Sequence, residues 1–184
     1  MKRAFLFLSA LSMLAAMPAD KPAKIYVFES GQIGFFSETP VENIEAHTNT
    51  YASVMNVESR KFAFSVQVVS FDFEKKLMQE HFNENYMESE KFPNATFKGG
   101  IEEEVNLFKD GIYQVMAKGE LEIHGVTKER SIPVKIEVKG GKIYFKSDFQ
   151  VKLVDHNIEV PNIVVANIAE VINVKVEGIL KPKQ

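Results

Sequence analysis

Residues 112–138 read IYQVMAKGELEIHGVTKERSIPVKIEV, and the way this stretch alternates decides the fold. In its first half Tyr113, Val115, Ala117, Gly119, Leu121 and Ile123 are apolar or small, with Gln114, Lys118, Glu120 and Glu122 between them. In its second half Ile132, Val134, Ile136 and Val138 are set against Ser131, Lys135 and Glu137. Successive side chains of a strand point to opposite faces, so a period of two turns one face to an apolar interior and the other to water. Strands of a parallel sheet, covered on both faces, read as continuous apolar runs instead, so the pattern predicts an antiparallel sheet.

The same period runs on in both directions. Ile143, Phe145, Phe149, Val151 and Leu153 face Lys142, Lys146, Asp148, Gln150 and Lys152, and a last strand sets Ile172, Val174, Val176 and Gly178 against Asn173, Lys175 and Glu177. Gly140-Gly141 marks a two-residue hairpin, because both central residues of a type I′ turn need positive φ. Asp110-Gly111 marks a second, and Gly125 with the polar run 127–130 a third, longer connection. Upstream, Phe62, Phe64, Val66 and Val68 alternate before the phase slips to Val69, Phe71 and Phe73, the mark of a β-bulge. Segments 25–36 and 49–57 bring the count to about eight strands, enough to close an antiparallel barrel and remove its edges. Residues 155–162 (DHNIEVPN) break the pattern as a long loop at a barrel mouth, with Ile158 and Val160 able to fold over the interior.

One segment is out of character. Residues 77–88 (LMQEHFNENYME) fit a helix, with Leu77, Met78, His81, Phe82, Asn85 and Tyr86 on one stripe and Gln79, Glu80, Asn83 and Glu84 facing outward. Twelve residues are marginal as a free helix, so the stripe needs burial against the barrel. The expected fold is therefore all-β, an antiparallel barrel of about eight strands with one short helix packed over one end.

Lys2 and Arg3 precede a thirteen-residue apolar run, 4–16, too short to cross a bilayer and flanked like a secretory signal. The reading is a signal peptide over 1–16, cleaved between 16 and 20, then one domain over 21–184 and a periplasmic or secreted destination. No transmembrane segment is expected in the mature chain. Without residues 1–16 the 22 Lys and Arg fall to 20 against 25 Asp and Glu, a net charge of −5. That balance argues against nucleic acid as a partner. There is no Cys, which excludes disulfides, thiolate metal sites and thiol nucleophiles.

Two stretches, in order, carry a family resemblance: SEKFPNATF at 89–97 and LEIHGVTKERSIPV at 121–134. With His81 on the helical segment, Phe92-Pro93, Phe97 and the run Leu121-Glu122-Ile123-His124-Gly125-Val126-Thr127-Lys128, the chain resembles the YceI-like family across 60–138. The barrel pattern extends the match over about 25–181. The chain departs from the family at Glu122, where Thr is frequent, and at His124, where Arg is frequent. The resemblance implies a lipocalin-like barrel that binds an amphiphilic lipid such as a polyisoprenoid, without catalysis and without a cofactor. Inward-facing Phe64, Val66, Tyr113, Val115, Phe145, Phe149 and Val174 are then the candidate lining, joined by Leu77, Met78, His81 and Phe82 from the helix. The residues themselves leave a second reading open, a structural or partner-binding barrel with a filled core; oligomeric state is undetermined.

Enzymatic chemistry finds less support. There is no G-x-S-x-G elbow, the glutamate run 102–104 reads as a solvated face, and the glycines fall at turns rather than in a nucleotide-binding loop. His47, His81, His124 and His156 lie more than thirty residues apart, so no local metal-ligand spacing exists and no metal is expected. An enzyme using His81 with a carboxylate ranks last.

Overall fold

The computed structural model describes residues 24–160 and 168–183; the export signal read at 1–16 lies outside them. In chain order the strands are β1 (Ile25–Glu38), β2 (Asn43–Thr48), β3 (Tyr51–Asn56), β4 (Lys61–Gln67), β5 (Asp72–Phe73), β6 (Asn94–Ile101), β7 (Gly111–Ile123), β8 (Val126–Lys139), β9 (Lys142–Lys152) and β10 (Val171–Pro182). Between β5 and β6 runs helix α1 (Lys76–His81), continued by a π-helical turn, Phe82–Tyr86. All pairings are antiparallel, and β10 returns to β1, closing a ring of eight strands in the order β1-β3-β4-β6-β7-β8-β9-β10. The β2–β5 pair lies outside that ring, attached to the second half of β1.

The alternation does what it promised: Val115, Ala117, Leu121, Ile132, Ile136, Val138, Ile143 and Val151 are all buried. At Gly140-Gly141 both residues have positive φ, 58° and 74°, and Lys139 pairs directly with Lys142.

Three connections differ from the sequence reading. Asp110-Gly111 is not a tight hairpin: β6 ends at Ile101, and residues 102–110 form a nine-residue loop that folds back over the barrel. The turn at Gly125 is the tight one. His124 and Gly125 take φ of 51° and 70°, Ile123 pairs with Val126, and residues 127–130 already belong to β8. The phase slip after Val68 is a 3-10 turn, Val68–Ser70, which exposes Val69 and returns Phe71 and Phe73 to the interior. The register shift that does occur lies between Phe28 and Ser30 of β1.

β1 changes partner along its length. It pairs with β3 over Ile25–Val27 and with β2 over Ile33–Glu38, leaving residues 28–32 without a strand on that side. Tyr51 fills the opening: it stacks on Phe64, packs against Phe28, and donates its hydroxyl to the Glu177 carbonyl at 2.9 Å. The hydroxyl fits because the facing pair Gly31 and Gly178 has no side chains; a methyl group at either would collide with it.

The helical segment is the largest correction. Leu77 is 62% exposed, and His81 and Asn85 are exposed as well, so the expected stripe does not hold. Met78 of α1 and Phe82, the first residue of the π turn, pack inward, and that wider turn, closed by Met87 N–H to the Phe82 carbonyl at 2.9 Å, brings Tyr86 and Met87 onto the inner face. One extra residue per turn shifts the stripe, and a 3.6-residue period cannot follow it.

Candidate functional site

The barrel interior is divided. At the end near the β8–β9 turn, Tyr26, Met55, Val57, Leu107, Val115, Ile136, Val138, Ile143 and Leu180 pack into one core. Leu107, from loop 102–110, is wholly buried in it. The loop is pinned by Tyr113, whose hydroxyl lies 2.9 Å from both the Asn106 and Lys109 carbonyls and shares its one proton between them, and by Glu103, whose carboxylate accepts the Met116 N–H at 2.8 Å. This end is plugged.

Above the plug lies an elongated cavity of about 420 Å³. Its walls run from Met55, Ile136, Ile143 and Leu180 beside the plug, past Phe64, Val66, Leu121, Phe145, Val174 and Val176, to Phe35, Met78, Phe82, Ile158 and Ile168 at the helix. Of the candidate lining residues, Phe64, Val66, Met78, His81, Phe82, Phe145, Phe149 and Val174 border it. Three do not. Leu77 points to solvent because the inward face of the helical segment is carried by Met78 and Phe82. Val115 and Tyr113 sit below the cavity, the first inside the plug core and the second tying down the loop.

Over the cavity, Phe82 sits among Phe35, Phe71 and Phe73 at centroid separations of 5.3, 5.9 and 5.1 Å, stacked on Phe35 and tilted or edge-on to the other two. A further set of contacts fixes the chain leaving the helix. Phe92 lies against Gly125, where a Cβ would strike its ring, and edge-on to His124 at 4.5 Å. His124 Nε2 is 2.9 Å from the Glu88 carboxylate, and its Nδ1 is 3.2 Å from the His156 carbonyl. His156, with no exposed surface, donates from Nδ1 to the Val126 carbonyl at 3.0 Å. Burial lowers its pKa, so this imidazole is neutral and structural. Ile158 follows it into a small core with Val68 and Met87, as expected of the loop at 155–162; Pro161 and Asn162 lie outside the described residues.

Sequence reasoning missed the polar corner of the cavity. Ser37, at the end of β1, and Glu42, in the turn before β2, both line it near Ile44. Ser37 is buried and accepts the Ala169 N–H at 2.8 Å; Glu42 is held by Lys75 at 2.9 Å. The signal was present in 43–48, where Ile44, Ala46 and Thr48 alternate with Asn43, Glu45 and His47, but small inward residues make it weak. Two lining residues reach solvent, His81, which is exposed, and Glu42, which is only partly buried. Among the described residues no cluster of His, Asp or Glu is close enough to hold a metal ion, and no helix is long and apolar enough to cross a membrane.

A family model described as a YceI-like domain matches residues 26–179. No curated protein matches the chain. Among solved structures, a polyisoprenoid binding domain from Saccharophagus degradans, described as implicated in plant cell wall breakdown, superposes with a TM-score of 0.74 at 11% identity, covering 88% of this chain and 99% of that one. BcnA from Burkholderia cenocepacia gives 0.68 at 16% identity, covering 81% and 95%. The YceI protein of Campylobacter jejuni gives 0.57 at 17% identity over the whole of both chains. At these identities the likeness is one of fold.

Proposed function

This chain belongs to the YceI-like family, and from that premise we propose that it is an exported binding protein, which encloses the apolar tail of one amphiphilic lipid of the polyisoprenoid class and does no chemistry on it. One observation carries the reading: a 420 Å³ cavity, walled almost wholly by aliphatic and aromatic side chains, plugged at one end and reaching solvent at the other. A slender, flexible hydrocarbon suits that shape. Each CH₂ taken from water contributes about 0.8 kcal/mol, reduced by the cost of ordering the chain. The description of the Saccharophagus domain as polyisoprenoid binding supports the choice of tail, and residues 1–16 support a periplasmic or secreted destination. The filled-core alternative is disfavoured by the volume of the interior. A catalytic role would have to rest on His81 and Glu42, and Glu42 is already engaged by Lys75.

The test is native mass spectrometry of protein purified from its own cells, followed by organic extraction. A lipid of one class released in about equimolar amount is the expected result. An empty extract, together with no uptake of added prenyl lipids, would overturn the proposal. As a control, Ala117→Trp places a large ring in the cavity wall, and a folded variant that loses the lipid ties binding to the interior.

A further inference from the structure

The barrel wall is not laddered all the way round at the level of the cavity. Strands β8 and β9 leave their turn as a regular hairpin, but their ladder covers only Lys135–Lys139 against Lys142–Lys146. Beyond it, residues 126–134 of β8 stay paired to β7 and residues 147–152 of β9 to β10, and no ladder joins the two stretches to each other. The split lies over the cavity: Ile132 and Val134 on one side of it and Ser147, Phe149 and Val151 on the other all line the interior.

Pro133 stands where the ladder stops. Its carbonyl is turned to β9, since it accepts the Ser147 hydroxyl at 2.7 Å. In an antiparallel ladder the N–H and C=O of one residue leave by the same edge, so the donor that proline lacks is the one that would have reached β9 next. Proline belongs on edge strands, and β8 beyond this point behaves as one. That stretch carries the charges that keep an edge from pairing elsewhere, Lys128, Glu129 and Arg130.

Among the described residues two hydrogen bonds span the split, Ser147 to Pro133 at its foot and, further up, Arg130 Nη2 donating to the Gln150 carbonyl at 2.7 Å. His156 closes the top, with its Nδ1 on the Val126 carbonyl at 3.0 Å. Neither spanning bond belongs to a ladder, so parting the strands here leaves every backbone pairing in place. The unladdered stretch of β1, by contrast, is stopped by the Tyr51 ring against Phe28 and Phe64. A tail lying along the barrel can pass sideways through an opening that runs beside it, whereas entry past the lid requires threading end-on.

We propose that this split is a side gate: the apolar tail of the ligand enters and leaves the cavity between β8 and β9, and the Arg130 side chain is the latch that holds the strands together. The inference rests on the proposed lipid-binding function and adds the route by which the site is filled.

The chain has no cysteine, so an introduced pair can be bridged specifically. Continuing the Lys135–Lys146 register places Ser131 opposite Gln150, and both are exposed. Ser131→Cys with Gln150→Cys, joined by a short bismaleimide after folding, fixes the gate, and the unjoined protein is its control. Loading of the delipidated mature protein with geranylgeraniol bearing a fluorescent anthranilate head is followed by stopped flow. The bridge is expected to slow loading at least about tenfold and to leave the final amount bound unchanged. Arg130→Ala is expected to speed loading about tenfold, the effect of losing one charged hydrogen bond from the closed state alone. An unchanged rate in that variant overturns the latch. Loading as fast with the bridge as without it sends the tail past the lid and overturns the gate, while the lipid reading stands. No uptake by either protein or by the wild type removes the lipid reading and the gate with it.

Discussion

The two ends of the barrel are closed by different physics. At the plug, a nine-residue loop inserts a fully buried leucine and is tied to β7 by its own backbone and by Glu103 and Tyr113. At the lid, neither α1 nor the π turn contains a single fully buried residue. The helix starts without a side-chain cap, and its grip on the barrel comes from Met78, Phe82 and Tyr86 leaning on the cavity wall, with the ion pair of exposed Lys75 and partly buried Glu42 at its edge. Local opening follows the regions with few buried contacts. The plug is therefore part of the global fold, whereas the lid can lift while the ladders stay intact.

The strongest way to break this contrast is Leu107→Ala. Loss of a fully buried leucine is expected to cost about 2–5 kcal/mol, read as a lower urea midpoint; a cost near zero would mean that the plug is no firmer than the lid. Next is Gly125→Ala, which places a methyl group at φ 70° and against the Phe92 ring. A loss of about 1–3 kcal/mol is expected from the strain, measured in the same way. The third lever is pH. Burial holds the His156 imidazole below its ordinary value of 6.5, so the unfolded chain takes up a proton before the folded one does. The stability this supplies is complete above pH 6.5 and is lost as pH falls toward the folded value; the urea midpoint should drop between pH 7.5 and 5.5, with a flatter slope in His156→Gln. The smallest effect belongs to Leu77→Ala, within about 0.5 kcal/mol of wild type, since this side chain faces water. A large loss there would restore the buried stripe first read from the sequence.

The barrel was legible because period-two alternation survives wherever strands are long and regular, as in β7 to β10. What escaped was local. The π turn hides from a helical period, since nothing in FNENY announces an extra residue per turn. The connection at His124 looked longer than it is because the polar residues after Gly125 are the outward face of a strand rather than a loop. At the cavity the large inward residues of the regular strands, Phe64, Val66, Phe145, Phe149 and Val174, could be assigned to the interior. How far down the barrel a residue sits could not: Tyr113 and Val115 have the right face and the wrong height, because the plug over them comes from a loop with no periodic signal. The motifs behind the family resemblance also acquire a meaning here. Phe92 rests on Gly125, and the Val68 N–H reaches the Pro93 carbonyl at 2.9 Å, so part of the signature marks a joint between the lid's exit and the β7–β8 hairpin, while Phe97 and Leu121 of the same signature face the cavity.

The change of partner along β1 has a mechanical consequence. Around most of the ring, girth is set by continuous backbone ladders, which resist stretching. Between β1 and β3 no ladder spans residues 28–32, and the gap is bridged by the Tyr51 ring and one hydroxyl contact that reaches past β1 to its neighbour β10. Compliance is concentrated in such seams. Widening the barrel there costs side-chain contacts about Tyr51, whereas widening it at a continuously laddered wall breaks backbone hydrogen bonds.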